Sequence, residues 1–147
     1  MHCEIKYNHT ILLVDDEVSI TKSLQRALRK EGYTVLTANS GHEGLDLLRN
    51  SKERVSLIIS DQRMPGMTGI QFLGKTMKML PNAVRFLLTG YTDMEIILDA
   101  LKKGKIHQYL NKPWNDNDLL TEVRQGLKHY ELILEGQSPK WSLQKET

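Results

Sequence analysis

Five short apolar runs, each followed by a segment with the period of an amphipathic helix, restrict this chain to very few architectures. The runs are residues 11–14 (Ile-Leu-Leu-Val), 33–36 (Tyr-Thr-Val-Leu), 55–59 (Val-Ser-Leu-Ile-Ile), 84–88 (Val-Arg-Phe-Leu-Leu) and 106–110 (Ile-His-Gln-Tyr-Leu). The first and third are apolar almost throughout, as strands covered on both faces are. Between the runs, Ile20, Leu24, Ala27 and Leu28 share one helical face, and Gly32 follows where a helix end favours a left-handed residue. Ser40 and Glu43 have the spacing of a capping box, ahead of a helix that turns Leu45 and Leu48 inward. A third helix is predicted from about Ile70 to Leu80, stopped by Pro81. A fourth starts near Thr92 with Asp93 and Glu95 in its first turn and ends with Lys102 and Lys103 before Gly104, the charge order a helix dipole favours. The last starts near Asn115 and carries Leu120, Val123, Leu127, Tyr130 and Leu134 as its stripe.

Strict alternation of strand and helix implies a parallel sheet with helices on both faces. Crossovers in such a sheet are right-handed almost without exception. A functional site in an open parallel sheet lies beyond the carboxyl ends of the strands, so the residues that end each strand deserve inspection first. They are Asp15 and Asp16 after the first, Asp61 after the third, Thr89 after the fourth and Lys112 just past the fifth. Three carboxylates brought together resist ionising together. A divalent cation and an ammonium would hold them charged, and an all-oxygen set without sulfur or imidazole favours magnesium over zinc. Beside such an ion a carboxylate is a nucleophile toward a phosphoryl group, while a Thr hydroxyl and a Lys ammonium bind phosphoryl oxygens. Taken singly, each residue has a plainer reading: Asp16 as a helix cap, Asp61 as a turn residue before Pro65 and Gly66. Their conjunction at one end of the sheet is what carries the reading.

Composition excludes several alternatives. The 147 residues suit a single domain. Lys and Arg number 20 against 18 Asp and Glu, too even a balance for binding driven by nucleic-acid charge. Cys3 is the one cysteine, so no intrachain disulfide forms, and with His2 and His9 it makes at most half a metal site. No run approaches the length of a membrane span and no signal-peptide pattern is present, so a soluble cytoplasmic protein is expected. From Gly136 the chain loses periodicity and reads as a tail or truncated linker over 136–147.

The segments Ile-Leu-Leu-Val-Asp-Asp-Glu (11–17), Ser-Asp-Gln-Arg-Met-Pro-Gly-Met-Thr-Gly (60–69), Leu-Leu-Thr-Gly-Tyr (87–91) and Tyr-Leu-Asn-Lys-Pro-Trp (109–114) resemble the response-regulator receiver family of two-component signalling. The resemblance runs over residues 9–135. It implies a flavodoxin-like α/β sandwich, five parallel strands in the order 2-1-3-4-5 with five helices. By position, Asp61 resembles the phosphoacceptor. Asp15, Asp16, Asp61 and the backbone oxygen of Arg63 resemble the ligands of Mg2+, with Mn2+ as an alternative ion. Thr89 and Tyr109 resemble the switch pair, Lys112 the phosphoryl-contacting lysine, and the bond before Pro113 is expected to be cis. Arg63 and Tyr91 occupy places where relatives tune how readily water attacks the acyl phosphate, and Tyr91 is expected to shield it. The implied partners are a histidine kinase or phosphotransfer protein and, through the fourth helix, fifth strand and fifth helix, an output module, with no direct binding of nucleic acid or membrane. A homodimer is compatible, but His107 and Gln108 stand where many transcriptional relatives carry two acids used in dimer contacts. The motifs look more like those of receivers attached to cyclic-dinucleotide phosphodiesterase modules or hydrogenase-type activators. Two rivals remain: an aspartyl-phosphate-forming hydrolase, and a degenerate receiver that acts as an unphosphorylated scaffold. A flavin-binding relative fails for lack of a phosphate-cradling loop after the first strand.

Overall fold

The computed structural model describes residues 7–90 and 93–141. Five strands, β1 (Thr10–Val14), β2 (Thr34–Ala38), β3 (Val55–Asp61), β4 (Val84–Thr89) and β5 (Gln108–Asn111), alternate with five helices. The helices are α1 (Val18–Arg29), α2 (Gly41–Asn50), α3 (Gly69–Met79), α4 (Met94–Lys102) and α5 (Asp116–Leu134). All strand pairs are parallel and the order is β2-β1-β3-β4-β5. This is the expected flavodoxin-like sandwich, with β1 the point where the strand order reverses.

Alternation of side chains along the strands divides the core in two. Leu12, Val14, Ile58 and Leu87 face one layer with Phe72 and Leu73 of α3 and Ile97 of α4. Ile11, Leu13, Leu57, Ile59, Phe86 and Leu88 face the other, with Leu24 and Leu28 of α1 and Val123 and Leu127 of α5. Each of these side chains removed from water contributes roughly 1.5–3 kcal/mol, and that sum is what closes the helices onto the sheet.

Local signals behave mostly as expected. Gly32 ends α1 at φ +91°, and the Asn115 side chain caps α5 by accepting from the Asp118 N–H at 3.1 Å. At α2 only half of the expected box forms: Ser40 Oγ accepts from the Glu43 N–H, but the Glu43 carboxylate accepts from Asn39 instead of Ser40. A complete box occurs at α3, between Thr68 and Gln71. Asp16 caps nothing, since Glu17 is the N-cap of α1. In α5 the buried stripe runs through Leu119 rather than Leu120, and Leu134 is exposed. The start assigned to α4, Thr92, lies outside the described residues, while Asp93 is the cap of that helix rather than part of its first turn.

Two buried polar clusters tie distant segments together. Arg85 on β4 gives its guanidinium to three backbone carbonyls, Ala83, Gly104 and Lys105, at 2.8–2.9 Å, and so fixes the turn that feeds β5. His9 bridges Ser56 on β3 (2.8 Å) and Glu131 on α5 (2.7 Å). Among the described residues no helix is long and apolar enough to cross a membrane.

Candidate functional site

Where β1 stops, the backbone N–H of Asp15 bonds to Ala38 O on β2, and its Oδ1 accepts the Glu17 N–H at 2.9 Å. These two bonds aim the carboxyl group across the top of the sheet. Asp61 ends β3. Its neighbour Gln62 holds the start of α3 by accepting from the N–H of Gly69 on its carbonyl and from that of Ile70 on its side chain. Gly69 lies so close that a Cβ there would collide with the Asp61 carbonyl oxygen and press on Leu87. Lys112 comes from the loop after β5, anchored by its own N–H to Thr89 O at 2.9 Å.

These anchors bring together chain segments nearly a hundred residues apart. Lys112 Nζ lies 3.0 Å from Asp61 Oδ1, 3.1 Å from Asp15 Oδ2 and 3.9 Å from Glu17 Oε1. Ligand oxygens of Asp15, Asp16 and Asp61 all fall within 4.8 Å of one another. Asp15 and Asp61 are buried and Asp16 is exposed. Burial pushes both buried carboxyls above the ordinary carboxylate range; the Glu17 N–H and then Lys112 pull Asp15 only part of the way back, and Lys112 does the same for Asp61. Burial alone would lower the Lys112 ammonium, yet the nearby charges of Asp61 and Asp15 outweigh that and hold it above its usual value.

The pocket has the chemistry of a hard-cation site. Among the described residues its donors are all oxygens, and one lysine is too little positive charge for three acids. Asp15 Oδ2, although close to Nζ, has no aligned hydrogen bond and is buried, so a lone pair faces the pocket. A divalent ion taking six or more oxygens accepts such a set. Thr89 is buried at the end of β4, one position beyond Leu88, which pairs with Asp61. Tyr109 is half-buried on β5 against the α3–α4 side of the core. Arg63 has an exposed side chain, the Lys112–Pro113 peptide is cis, and Tyr91 lies outside the described residues. Glu17, Gln62 and Gly69 were not singled out from sequence; Gly69 was visible only as the last letter of a motif.

The family model for the response regulator receiver domain matches residues 11–124. Over 119 residues the chain is 41% identical to the hydrogenase transcriptional regulatory protein HoxA of Cupriavidus necator, covering 81% of this chain and 24% of that protein. The chain thus spans about a quarter of that curated relative. It is 33% identical to sporulation initiation phosphotransferase F of Bacillus subtilis over 84% of this chain and 94% of that one. Among solved structures, the signal receiver domain of an HD domain-containing protein from Pseudomonas fluorescens superposes with a TM-score of 0.79 at 37% identity, over 85% of this chain and 98% of that one.

Proposed function

The chain belongs to the response regulator receiver family, and from that premise we propose that it accepts a phosphoryl group on Asp61 from a histidine kinase or a phosphotransfer protein. The observation that carries the proposal is the placement of Lys112 Nζ between Asp61 Oδ1 and Asp15 Oδ2, at 3.0 and 3.1 Å. It leaves Asp61 a second oxygen to attack phosphorus. Bond formation between that oxygen and phosphorus accompanies cleavage of the bond to the donor, whose imidazole nitrogen keeps the electron pair and takes a proton. Asp15, Asp16, Asp61 and the Arg63 backbone oxygen would hold Mg2+, or Mn2+, which neutralises phosphoryl charge during transfer. Lys112 supplies a fixed ammonium to a phosphoryl oxygen, and the Thr89 hydroxyl a hydrogen bond. A cavity of about 490 Å³ beside Lys112, lined by Ile20, Pro113 and Trp114 among others, suits an approaching donor.

Phosphorylation adds nearly two negative charges. Thr89 then moves toward them, Tyr109 turns inward, and the surface of α4, β5 and α5 changes for an output module, a downstream protein or a second copy of the chain. Ile96 and Leu98 on α4 are half exposed, which suits such a surface. Arg63 and Tyr91 set how quickly water removes the group, and the whole cycle takes place in the cytoplasm.

Incubation with Mg2+ and acetyl phosphate, followed by intact mass, tests the proposal. One phosphoryl group should appear on the wild type and none on Asp61→Asn, with acetate as the leaving group. Equal labelling of Asp61→Asn sinks the assignment; continuous turnover of acetyl phosphate at enzymatic rates would favour the hydrolase, and no labelling of either protein the scaffold.

A further inference from the structure

After α5 the chain makes a turn at Gly136 (φ +82°) and runs back without regular structure to Trp141. This segment is not a detached tail. The Trp141 ring meets His129 of α5 at 5.1 Å, His107 before β5 at 5.6 Å and Phe86 of β4 at 5.8 Å, each edge-to-face. His107 and His129 also meet each other at 5.6 Å. All these separations fall in the range of favourable aromatic pairs.

The place where the ring sits explains why it is needed. α5 packs mainly over β3 and β4 and reaches β5 through Glu122, which accepts from the buried Gln108 at 3.4 Å, so the place left for further cover is His107, just ahead of that strand. Trp141 supplies it, packing against the core layer that contains Phe86. Ring packing holds the Trp141 side chain, whose Nε1 is buried with no hydrogen-bond partner among the described residues. An unsatisfied buried donor works against the docked state, which makes the contact one that can open.

We propose that residues 137–141 form a strap, anchored by Trp141, that covers the start of β4 and β5 and is released when His107 and His129 take up protons. Both imidazoles are held neutral when the strap is down. Burial pushes His107 to about 3, helped by the Arg85 charge on β4 and by His129. The Arg85 N–H also donates to its Nδ1 at 3.0 Å, so a proton has to enter at Nε2 or displace that bond. Burial likewise lowers His129. The α5 neighbours one turn away, Gln125, Gly126, Leu132 and Ile133, are uncharged, and the charged strap residue next to the anchor, Lys140, is another cation. No carboxylate contributes to either shift. Lifting the strap lets water reach the rings and returns them toward the ordinary histidine value of 6.5, so protons favour the lifted state as pH falls below that value.

The test uses the full chain carrying Trp114→Phe, which leaves Trp141 as the one indole. At about pH 7.5 its emission should be blue-shifted and shielded from acrylamide, and at about pH 5 red-shifted with a quenching constant roughly threefold higher, while far-UV circular dichroism is unchanged. Adding His107→Asn and His129→Phe, which keep an acceptor for Arg85 and a ring for Trp141, should abolish the pH response but keep the shielding. Quenching as fast as that of a free indole at the higher pH would overturn the strap. Shielding that is unchanged or stronger in acid, as a cation–π contact would give, or a red shift that comes only with loss of circular dichroism, would overturn its release by protons.

Discussion

Asp61 illustrates how a residue can be unfavourable to the fold and necessary to the function. Its carboxyl and that of Asp15 are buried and raised, so the folded chain binds their protons more tightly than the unfolded chain, for which 3.8 is the reference. The sign follows: these groups reduce stability at neutral pH, and the deficit disappears as pH falls through their raised folded values toward 3.8. Asp61→Asn should therefore raise the Tm of the metal-free protein, by roughly 2–4 °C if about 1 kcal/mol is relieved. Mg2+ should raise the wild-type Tm and leave that variant nearly unmoved, as ligand linkage requires. A scanning-fluorimetry series with and without Mg2+ reads both effects, and a lower Tm for metal-free Asp61→Asn refutes the account. Lys112→Met removes the one counter-charge that the described residues place in the pocket and should shift Tm down by several degrees, on the order of 2 kcal/mol. That Asp15, Asp16, Asp61, Thr89 and Lys112 were legible as a set follows from a simple rule: parallel strands deliver their final residues to one edge. Gln62 and Gly69 were not legible, because their roles depend on a backbone approach that only the folded loop creates.

Between single residues and the whole stand the connections that place each element. Gly69 opens α3 against the Asp61 carbonyl and Leu87, and neither backbone nor a packed leucine can yield cheaply. Gly69→Ala should cost about 2 kcal/mol in urea unfolding and slow labelling by acetyl phosphate, since it shifts the loop that aims Asp61; unchanged stability and rate would show that the loop gives freely. Arg85 does similar service for β5. Its pKa falls to about 10 through burial, so it stays charged at neutral pH and keeps all three carbonyl bonds. Arg85→Met strands those carbonyls and should cost about 3 kcal/mol, with β5 rather than the rest of the sheet losing hydrogen-exchange protection first. A uniform loss across all strands would assign Arg85 to general packing instead. Element order and type were readable from period and caps, but edges moved. β2 and β5 begin one and two residues later than their apolar runs, because pairing with β1 and β4 decides where a strand starts. The stripe of α5 shifted to Leu119 for the same reason: the sheet selects the face.

Across the whole molecule, the acidic pocket after β1 and β3 and the imidazole of His107 ahead of β5 sit at opposite ends of the sheet and bend the stability profile in opposite senses. The alternation of the sequence fixes two layers and a carboxyl edge, yet it says nothing of contacts such as His9 with Glu131, 122 positions apart, or Trp141 with Phe86. These pairs belong to no local period, and neither does the neutral His107. While the strap is down His107 is held near 3 against an ordinary value of 6.5, so it contributes stability that is complete above 6.5 and declines as pH falls below it, until the strap lifts and the ring takes its proton in the folded chain. Asp15 and Asp61 act the other way in metal-free protein, regaining stability over the upper part of that acid limb. Metal-free Tm should thus fall only gently as pH drops from neutral. Bound Mg2+ keeps the carboxylates ionised and removes their counter-slope, so the Mg2+-saturated protein should lose Tm more steeply, and the two curves should converge once acid displaces the ion. His107→Asn, which keeps an acceptor for the Arg85 N–H, should flatten both curves without changing the gap between them at neutral pH. Parallel curves with and without Mg2+ would mean that the acidic pocket and the ion are not linked through Asp15 and Asp61, and steepness unaltered by His107→Asn would place the acid-sensitive group elsewhere.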